Sequence, residues 1–467
     1  MRKGQFPLQN LPAWCMLNNI ALDGLSAADV NARGLGLVAE NELENMHDDL
    51  PALLTVPKEL VLSSARVEEY AKENKEFRRL LDVAGHQSSR GDILLFLLTQ
   101  LVLSSPDYAG GQGAATAWTQ YMKLLPAHVP VPTLWSASDL SFLRGTSLQF
   151  AVTAKLAALA KEFDHIRDAT SDLPRWSALI EAGEITLSDW ILVDALYRSR
   201  SLALPRSGEA MVPCLDLVNH ASPATAYFEE TEEGEVLLLL RKGEKVARQE
   251  EITIDYGHDK SAAEMLFSYG FIDSDSNAKS LVLPVRPMED DPLAKAKLYA
   301  FRSAPILKIT DSETGVPQWE APFIYLMCLN DEDGLHFKVL QENDGSQDLR
   351  MFWQDGDITR DAESMETLID GHELCQVFRL RAVTVALQMI RQQLDVLKDN
   401  STQALNEGTH IVLVASRLRA IEQDLLERAL KMVEQENNRL LEEESVKAYL
   451  TAMNDTQRDD ADEEDFT

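Results

Sequence analysis

Along the first 60 residues, apolar positions come in short runs that predict strands separated by turns. Residues 34–39 indicate a glycine turn leading into an apolar strand, and residues 53–57 indicate a strand that ends at a proline. Strand character returns much later, where residues 236–240 and 251–255 are the clearest segments and the second alternates between apolar and polar positions. Strands are thus predicted on both sides of a long intervening region.

The intervening region, residues 63–201, has the character of helices. Residues 93–98 are apolar on nearly every side, which predicts a buried helix. Further helices are expected over residues 146–163 and 187–197. The pattern therefore predicts a helical segment inserted between two groups of strands.

After residue 281 the pattern is mixed as far as residue 372, and long helices follow. One is predicted over residues 374–397 and a second from about 411 to 450, with apolar residues at steps of three and four. No strict heptad persists, so packing in a bundle is favoured over a coiled coil. Residues 459–465 are acidic except for one alanine, and a tail with nothing apolar to fold around is expected to be disordered.

The net charge changes the range of functions to consider. It is −32, whereas the hydrophobic (45%) and charged (26%) fractions of the 467 residues are ordinary for a folded protein. So acidic a protein repels the phosphates of nucleic acids, and direct binding to DNA or RNA is disfavoured. The same field would attract a basic protein partner. It would equally keep the protein soluble, and composition leaves both interpretations open.

The cysteines indicate neither a zinc cluster nor a disulfide framework. There are four, they lie far apart, and none forms a Cys-x-x-Cys pair. A reducing compartment fits this usage. The most apolar run, residues 93–103, is about half the length needed to cross a bilayer. We therefore expect a cytoplasmic or nuclear protein that binds no membrane.

The turn containing Gly34 and Gly36 is the first candidate for ligand binding. Residues 34–39 formally match the Gly-x-Gly-x-x-Ala form of the dinucleotide fingerprint, which requires a preceding apolar strand and a following helix. A strand is predicted after the glycines instead, so a Rossmann-type site is rejected. Two glycines this close allow a backbone to approach a ligand, and an ordinary hairpin turn accounts for them equally well.

Asn219 and His220 form the second candidate, because they follow an apolar segment. Their amide and imidazole groups could fix a small polar ligand at the edge of a core. Taken alone, such a pair more often satisfies nearby backbone groups. A metal site at His220 is disfavoured, since no second His, Cys or carboxylate stands at ligand spacing.

A repeated Tyr-Gly pair is the third candidate. Tyr256-Gly257 ends the predicted strand 251–255, and Tyr269-Gly270 follows a helix-like stretch. Two phenols placed in this way could line one channel. Isolated tyrosines are more often packing residues with a hydrogen-bonded hydroxyl, so the combination with the other two candidates decides the interpretation.

In combination, these segments resemble the SET-domain lysine methyltransferases. The closer resemblance is to the subfamily of the Rubisco large-subunit methyltransferase and the fungal enzymes that modify ribosomal proteins. Five segments match in order, with the helical insertion between the first and the rest. They are residues 32–37 (ARGLGL), 198–200 (RSR), 216–220 (DLVNH), 254–257 (IDYG) and 268–271 (SYGF).

The resemblance implies an α+β fold with a β-rich SET domain over residues 1–275, interrupted by the helical insertion. In that domain the Asn-His and Tyr-Gly segments pass through one another in a knot-like arrangement. A mainly helical substrate-binding domain is implied over residues 281–450, followed by the acidic tail 451–467. No cysteine lies between Cys214 and Cys328, where many histone-directed enzymes carry a zinc segment. The C-terminal region is therefore expected to close the active site, which favours a non-histone target.

The resemblance also implies residue roles. Tyr256 would be the catalytic tyrosine, S-adenosylmethionine the cofactor, and no metal would be needed. The lysine channel would include Tyr227 and Tyr269, with Arg198 and Arg200 near the substrate side. The residues expected to bind the cofactor are Arg33, Gly34, Leu35, Gly36, Asp216, Asn219, His220, Tyr256 and Phe271.

Two interpretations from other classes of protein stay open at this point. A catalytically inactive SET fold could recruit a basic partner through its acidic helical region, and binding of S-adenosylmethionine distinguishes an enzyme from it. A scaffold built on the long helices would self-associate without residues 1–280. The substrate of an enzyme would be a protein of basic character, and the pattern defines no oligomeric state.

Overall fold

The computed structural model describes residues 2–30, 33–47, 50–108, 115–273, 279–312, 315–341, 347–400 and 409–453. The chain divides into two compact units, each with its own hydrophobic core. The first consists of Met1–Leu140, Phe150–Lys260 and Glu264–Ser276. The second consists of Ser141–Gln149, Ser261–Ala263 and Asn277–Thr467.

A group of strands, a helical segment and a second group of strands follow one another in the first 254 residues, as the sequence predicts. The strands are β1 (Ala21–Leu22), β2 (Leu25–Asp29), β3 (Leu35–Ala39), β4 (Leu43–Glu44), β5 (Leu54–Val56), β6 (Ser201–Leu204), β7 (Gly208–Met211), β8 (Asn219–His220), β9 (Ala226–Glu230), β10 (Val236–Leu240), β11 (Lys245–Val246), β12 (Glu251–Ile254), β13 (Ser280–Pro284), β14 (Ile306–Asp311), β15 (Pro317–Glu320), β16 (Leu335–Gln341), β17 (Gln347–Trp353) and β18 (Gly356–Asp357). The helices are α1 (Leu11–Leu17), α2 (Ser64–Glu73), α3 (Lys75–Ala84), α4 (Ser89–Ser104), α5 (Ala117–Leu124), α6 (Ala137–Leu140), α7 (Ser147–Ala169), α8 (Pro174–Glu181), α9 (Leu187–Arg198), α10 (Ala262–Tyr269), α11 (Ala294–Ala300), α12 (Pro322–Met327), α13 (Met365–Leu368), α14 (Cys375–Asp399) and α15 (His410–Leu441).

Two four-stranded sheets form the β-rich part of the first unit, with the orders β1-β5-β10-β9 and β2-β3-β12-β8. In the second sheet β12 runs antiparallel to β3, with Ile252 opposite Leu37, and parallel to β8, with Ile254 opposite His220. The helical insertion separates β3 from β8 and β12 in the sequence. Strand pairing therefore brings together segments that lie on either side of that insertion.

The glycine turn has the structure that the sequence predicts. Gly34 has a φ of 79°, a conformation that favours glycine, and β3 follows it directly. Because a strand and not a helix leaves the turn, the rejection of a Rossmann-type site is confirmed.

The predicted helices of the insertion are confirmed in α4, α7 and α9. Residues 93–98 of α4 are all buried, and the Ser88 hydroxyl caps this helix by accepting a hydrogen bond from the Gly91 N–H at 3.0 Å. Among the described residues, no helix has the length and apolarity needed to cross a membrane, and this includes α4.

The N-terminal region differs from the prediction of strands and turns alone, because it also contains helix α1. Leu11, Trp14 and Cys15 recur at helical spacing and bury one face of the helix, and Pro12 lies in the first turn, where proline is tolerated.

Cys15 and Cys214 are far apart in the sequence, yet their sulfur atoms are 3.5 Å from each other. Both are free thiols.

The second unit combines the expected helices with two three-stranded sheets, β13-β14-β15 and β16-β17-β18. Helices α14 and α15 pack against each other in one core, and α14 occupies the predicted range.

The prediction of a single helix as far as residue 450 is wrong, because α15 ends at Leu441 and residues 444–453 form another helical segment. Glu442 and Glu443 follow the C-terminal end of α15, which is the negative end of the helix dipole, and their charges disfavour continuation of the helix. The predicted disordered tail lies outside the described residues from position 454 onwards.

A buried carboxylate fixes the start of α7 within the second unit. Glu422 accepts a hydrogen bond from the Ser147 N–H at 2.9 Å, and its other oxygen lies 2.5 Å from the Ser147 hydroxyl. Burial raises the pKa of Glu422 to about 7. The nearby Arg419 donates to the backbone carbonyls of Phe142 and Arg144. These bonds hold the segment 141–149 within this unit.

Candidate active site

The sheet β2-β3-β12-β8 positions most of the predicted site residues. Gly36 lies on β3, Asn219 and His220 form β8, and Tyr256 follows the end of β12 by two residues. Because His220 is opposite Ile254 in the parallel pairing, Tyr256 leaves the sheet beside the Asn-His segment. Residues that are far apart in the sequence are thus neighbours at one end of the sheet.

Two hydrogen bonds of its own hold the Asn219 side chain in place, and two contacts of Arg33 extend the network. Its Nδ2 donates to the Leu35 carbonyl oxygen at 3.2 Å and to Glu251 Oε1 at 2.6 Å. The other carboxylate oxygen, Oε2, accepts from Arg33 Nη1 at 3.2 Å, and the same nitrogen lies 3.4 Å from the His220 carbonyl oxygen. We call Arg33, Gly36, Asn219 and Glu251 the polar clamp.

Gly36 belongs to the polar clamp because of the space it leaves. A Cβ at this position would lie 2.7 Å from Glu251 Oε1, 2.8 Å from Val30 Cγ2 and 2.9 Å from Asn219 Nδ2. These separations are too short for any side chain without movement of its neighbours. The absence of a Cβ at Gly36 is therefore what lets the backbone of β3 approach the amide and the carboxylate.

The hydrogen bonds of His220 define its tautomer. Nδ1 accepts from the backbone N–H of Tyr256 at 3.1 Å, and Nε2 is 3.1 Å from Asp273 Oδ2. Because Nδ1 acts as an acceptor, the ring hydrogen is on Nε2 and donates to the carboxylate. His220 thereby connects β8 to both the segment after β12 and the segment after Phe271.

Four rings form a closed group that we call the aromatic cluster. Its centroid distances are 5.3 Å for His220–Tyr256, 4.6 Å for Tyr256–Tyr269, 6.2 Å for Tyr269–Phe271 and 6.0 Å for Phe271–His220. Gly270 allows the chain to turn between Tyr269 and Phe271. Its φ is 84°, and a Cβ there would lie 2.7 Å from Pro130 backbone atoms. The structure thus brings the predicted channel tyrosine Tyr269 together with the predicted catalytic tyrosine.

Tyr256 is a neutral phenol whose proton already has an acceptor. Its hydroxyl donates to the Val218 carbonyl oxygen at 2.7 Å. Burial raises the pKa of Tyr256 well above that of a free phenol, and the positive charge of Arg200 opposes this only in part. The hydroxyl oxygen therefore offers lone pairs to a ligand as a hydrogen-bond acceptor and not as a phenolate base.

Lys260 is a cation beside the aromatic cluster that the sequence pattern does not identify. Its ammonium lies 5.9 Å from the centre of the Tyr269 ring and donates a hydrogen bond to the Tyr256 carbonyl oxygen. Burial raises the pKa of Tyr269, and the negative charge of Glu209 adds to this shift. The cluster is thus flanked by charges of both signs.

Asp216 and Arg200 form a buried ion pair behind this site. Arg200 Nη1 donates to Asp216 Oδ2 at 3.2 Å and to its carbonyl oxygen at 2.7 Å. The Tyr121 hydroxyl donates to Asp216 Oδ1 and accepts from the Cys214 N–H at 2.9 Å. Burial raises the pKa of Asp216, and Arg200 opposes this shift. The carboxylate is occupied by protein groups, and a contact of Asp216 with the cofactor stays a prediction.

Arg198 connects α9 to the end of α10. Its guanidinium donates to the Phe267 carbonyl oxygen and to the Thr133 hydroxyl at 2.7 Å, and it lies 4.3 Å from the centre of the Phe267 ring. It also pairs with the buried Asp194 at 3.4 Å. Since Phe267 precedes Tyr269 by two residues, Arg198 supports the aromatic cluster from behind, and its role towards substrate stays a prediction.

Tyr227, the predicted third channel tyrosine, is placed differently from the cluster. It lies on β9 in the other four-stranded sheet, opposite Leu239, and the Arg241 guanidinium is 5.6 Å from the centre of its ring. Its role in a lysine channel stays a prediction.

The chain was compared with known proteins, and no protein-family model matches it. SET domain-containing protein 8 of Schizosaccharomyces pombe is 26% identical over 413 residues, which cover 87% of this chain and 90% of that protein. The chloroplastic ribulose-1,5 bisphosphate carboxylase/oxygenase large subunit N-methyltransferase of Pisum sativum is 26% identical over 333 residues, or 67% of this chain and 62% of the relative. A crystal structure of the SET domain of LSMT bound to MeLysine and AdoHcy matches with a TM-score of 0.68 at 19% identity, covering 94% of each chain.

These likenesses define the class of the protein, which has the α+β fold of the SET domain with a helical C-terminal region. The particular resemblance predicted from the five sequence segments is confirmed as well. It is to the SET-domain protein-lysine methyltransferases of the Rubisco large-subunit methyltransferase type.

Proposed function

We propose that this chain is a protein-lysine N-methyltransferase that uses S-adenosylmethionine. The observation that carries the proposal is the meeting of the polar clamp and the aromatic cluster at one end of a sheet, joined through Asn219 and His220. A polar anchor beside a set of aromatic faces suits a ligand with a charged amino-acid end and a flat purine. It also suits a long alkyl amine.

The residues present fit that cofactor. The hydrogens of the Asn219 amide are used within the polar clamp, so its oxygen is the group left to accept from an ammonium. Arg33 has a half-exposed side chain whose positive charge would complement a carboxylate. The Phe271 ring would pack on the adenine, and the backbone at Gly34 is open to close approach, since nothing lies within 4 Å of the position of a Cβ there.

The chemistry requires alignment more than acid or base groups. S-adenosylmethionine supplies a methyl group on a positively charged sulfur. An incoming lysine must be unprotonated to attack, and the aromatic cluster favours this because desolvation lowers the pKa of an amine. Ring faces still attract the ammonium as it enters. Tyr256, with its proton donated to Val218, presents an oxygen that can hold the amine in line, and such alignment is worth about 7–11 kcal/mol.

Calorimetry with S-adenosylhomocysteine tests the cofactor site. Gly36→Ala is expected to weaken binding by about tenfold or more, which corresponds to ~1.4 kcal/mol, since the new Cβ would displace Glu251 and Asn219. Gly371→Ala is the matched control, because nothing lies within 4 Å of a Cβ there, and its affinity should equal that of the wild type. A wild-type protein that does not bind would support the catalytically inactive SET fold instead.

The substrate is inferred to be a basic non-histone protein, such as a ribosomal protein or a translation factor, in the cytoplasm or nucleus. The net charge of −32 supports a basic partner. The name of the Pisum sativum relative gives it a non-histone target, the large subunit of an enzyme. The helical second unit would contact the substrate protein.

Salt should weaken substrate capture if charge drives it. Raising the ionic strength from about 0.01 M to 0.15 M shortens the Debye length from about 30 to 8 Å, and the KM for a basic protein substrate is expected to rise several-fold. The KM for a short uncharged peptide carrying one lysine serves as the control and should change less. Equal KM values for the basic protein at both ionic strengths would contradict electrostatic capture.

A further inference from the structure

Glu251 is the one carboxylate of the polar clamp, and neither the sequence pattern nor the resemblance gives it a role. Its side chain is 11% exposed, and its two oxygens bond to different residues. Oε1 accepts from Asn219 and Oε2 accepts from Arg33. It therefore connects β12 to the residue before the glycine turn and to the residue that begins β8.

The contacts of Asn219 leave one possible orientation of its amide. Both groups that face Nδ2, the Leu35 carbonyl and the Glu251 carboxylate, are acceptors. A flipped amide would place its oxygen against two other oxygens, which is repulsive. Within the part of the chain that the structure describes, no donor bonds to Asn219 Oδ1. This oxygen is therefore the polar atom that β8 presents to a ligand.

The two bonds to Nδ2 differ in strength. The bond to Glu251 is 2.6 Å long and charge-assisted, whereas the bond to the Leu35 carbonyl is 3.2 Å long and neutral. Loss of the carboxylate would leave the amide with the weaker restraint. Its nitrogen could then turn towards the ligand, where it would meet a donor.

We propose that Glu251 is a positioning residue that fixes the amide of Asn219 so that its oxygen accepts a hydrogen bond from the α-amino group of the cofactor. The inference rests on the proposed function, and it names a residue that acts through Asn219 without touching the ligand. Arg33 completes the arrangement, because its positive charge holds the second carboxylate oxygen at 3.2 Å. Gly36 keeps the space between carboxylate and amide free of a side chain.

The test compares two ligands on two variants by calorimetry. The ligands are S-adenosylhomocysteine and its analogue in which hydrogen replaces the α-amino group. Glu251→Met keeps the length of the side chain but removes both oxygens, and it should weaken binding of S-adenosylhomocysteine by about tenfold or more. The analogue should bind to the wild type and to this variant with similar affinity, because it has no ammonium for Asn219 to recognise.

Glu251→Gln should recover part of the binding that Glu251→Met loses, since its amide oxygen can still accept from Asn219 Nδ2, although its NH2 group then faces the Arg33 donor. Glu250→Met is the matched control, because the Glu250 side chain is exposed and bonds to the Ala247 N–H at 2.8 Å, away from the clamp. A Glu251→Met variant that loses affinity equally for both ligands would show a general structural role and overturn the proposal. So would unchanged affinity for S-adenosylhomocysteine.

If Glu251→Met does not fold, the proposal can be tested by exchanging the hydrogen-bond donor and acceptor between positions 219 and 251. Asn219→Asp places two carboxylates in contact and should abolish binding, whereas Asn219→Asp combined with Glu251→Gln restores a donor–acceptor pair and should recover part of it. Failure of the double variant to recover binding would contradict the proposed pairing. Failure of the wild type to bind either ligand would instead overturn the proposed function itself.

Discussion

Replacement of Tyr256 by Phe is expected to lower kcat for lysine methylation by roughly 10²–10³-fold, while calorimetry shows nearly unchanged affinity for S-adenosylhomocysteine. The phenylalanine ring can keep the contacts at 5.3 Å with His220 and 4.6 Å with Tyr269. Only the hydroxyl is lost, and with it the hydrogen bond to the Val218 carbonyl oxygen. Because the proposed role of the hydroxyl is to contact the reacting groups and not the remainder of the cofactor, kcat should fall without a loss of cofactor binding.

Tyr70→Phe is the matched control for this experiment. The Tyr70 hydroxyl accepts a hydrogen bond from Asn74 within the helical insertion, and the ring packs between Phe77 and Phe96. The same chemical change at that position should leave kcat as it is in the wild type. If Tyr256→Phe also kept wild-type turnover, Tyr256 would not be the catalytic tyrosine.

The largest expected effect on stability comes from Asp216→Ala, which should lower the free energy of unfolding by roughly 3–5 kcal/mol. The Asp216 side chain is 1% exposed and that of Arg200 17%. Alanine would leave the Arg200 guanidinium without its counter-charge and the Tyr121 hydroxyl without its acceptor. Urea unfolding of the wild type and the variant measures the difference.

The control for Asp216→Ala is an ion pair on the surface. Glu69→Ala removes the partner of Arg66 on α2, where the two side chains are 54% and 27% exposed, and should cost about 0–1 kcal/mol. The loss of unfolding free energy for Asp216→Asn should lie between those for Asp216→Ala and Glu69→Ala, since asparagine keeps the shape and a hydrogen-bond acceptor but loses the charge. Equal stabilities of Asp216→Ala and Glu69→Ala would show that the buried pair contributes no more than a surface pair.

Local pattern predicts much of the fold, because burial imposes a period on the sequence. Helix α4 is apolar all round since it is buried all round, and β12 begins at the predicted position because its apolar residues alternate from there. Helix α1 is not predicted because it is only seven residues long and contains a proline. The end of α15 is not predicted because the apolar spacing continues across the break at residues 442–443.

The candidate site follows from the sequence only in part, since its contacts are between segments far apart in the chain. The resemblance names Asn219, Tyr256 and Tyr269; the structure places the first two at one end of a sheet and packs the Tyr269 ring of α10 against Tyr256. It does not name Glu251 or Tyr121. The alternation in β12 predicts Glu251 only as a polar strand position, and Tyr121 is 95 residues from the Asp216 carboxylate that it binds. Such pairs leave no local signal that a periodicity could detect.

The parallel pairing of β8 with β12 also determines when the site can form during synthesis. The polar clamp requires residues 33 and 251, and the aromatic cluster is complete only with Phe271. A ribosome must therefore finish nearly the whole first unit before any cofactor pocket exists, whereas α2, α3 and α4 can pack as soon as they emerge. Closing loops of this length is slow compared with helix formation. Within the first unit, α2, α3 and α4 would therefore fold before the candidate site, whereas the start of α7 must wait for Glu422 of the second unit.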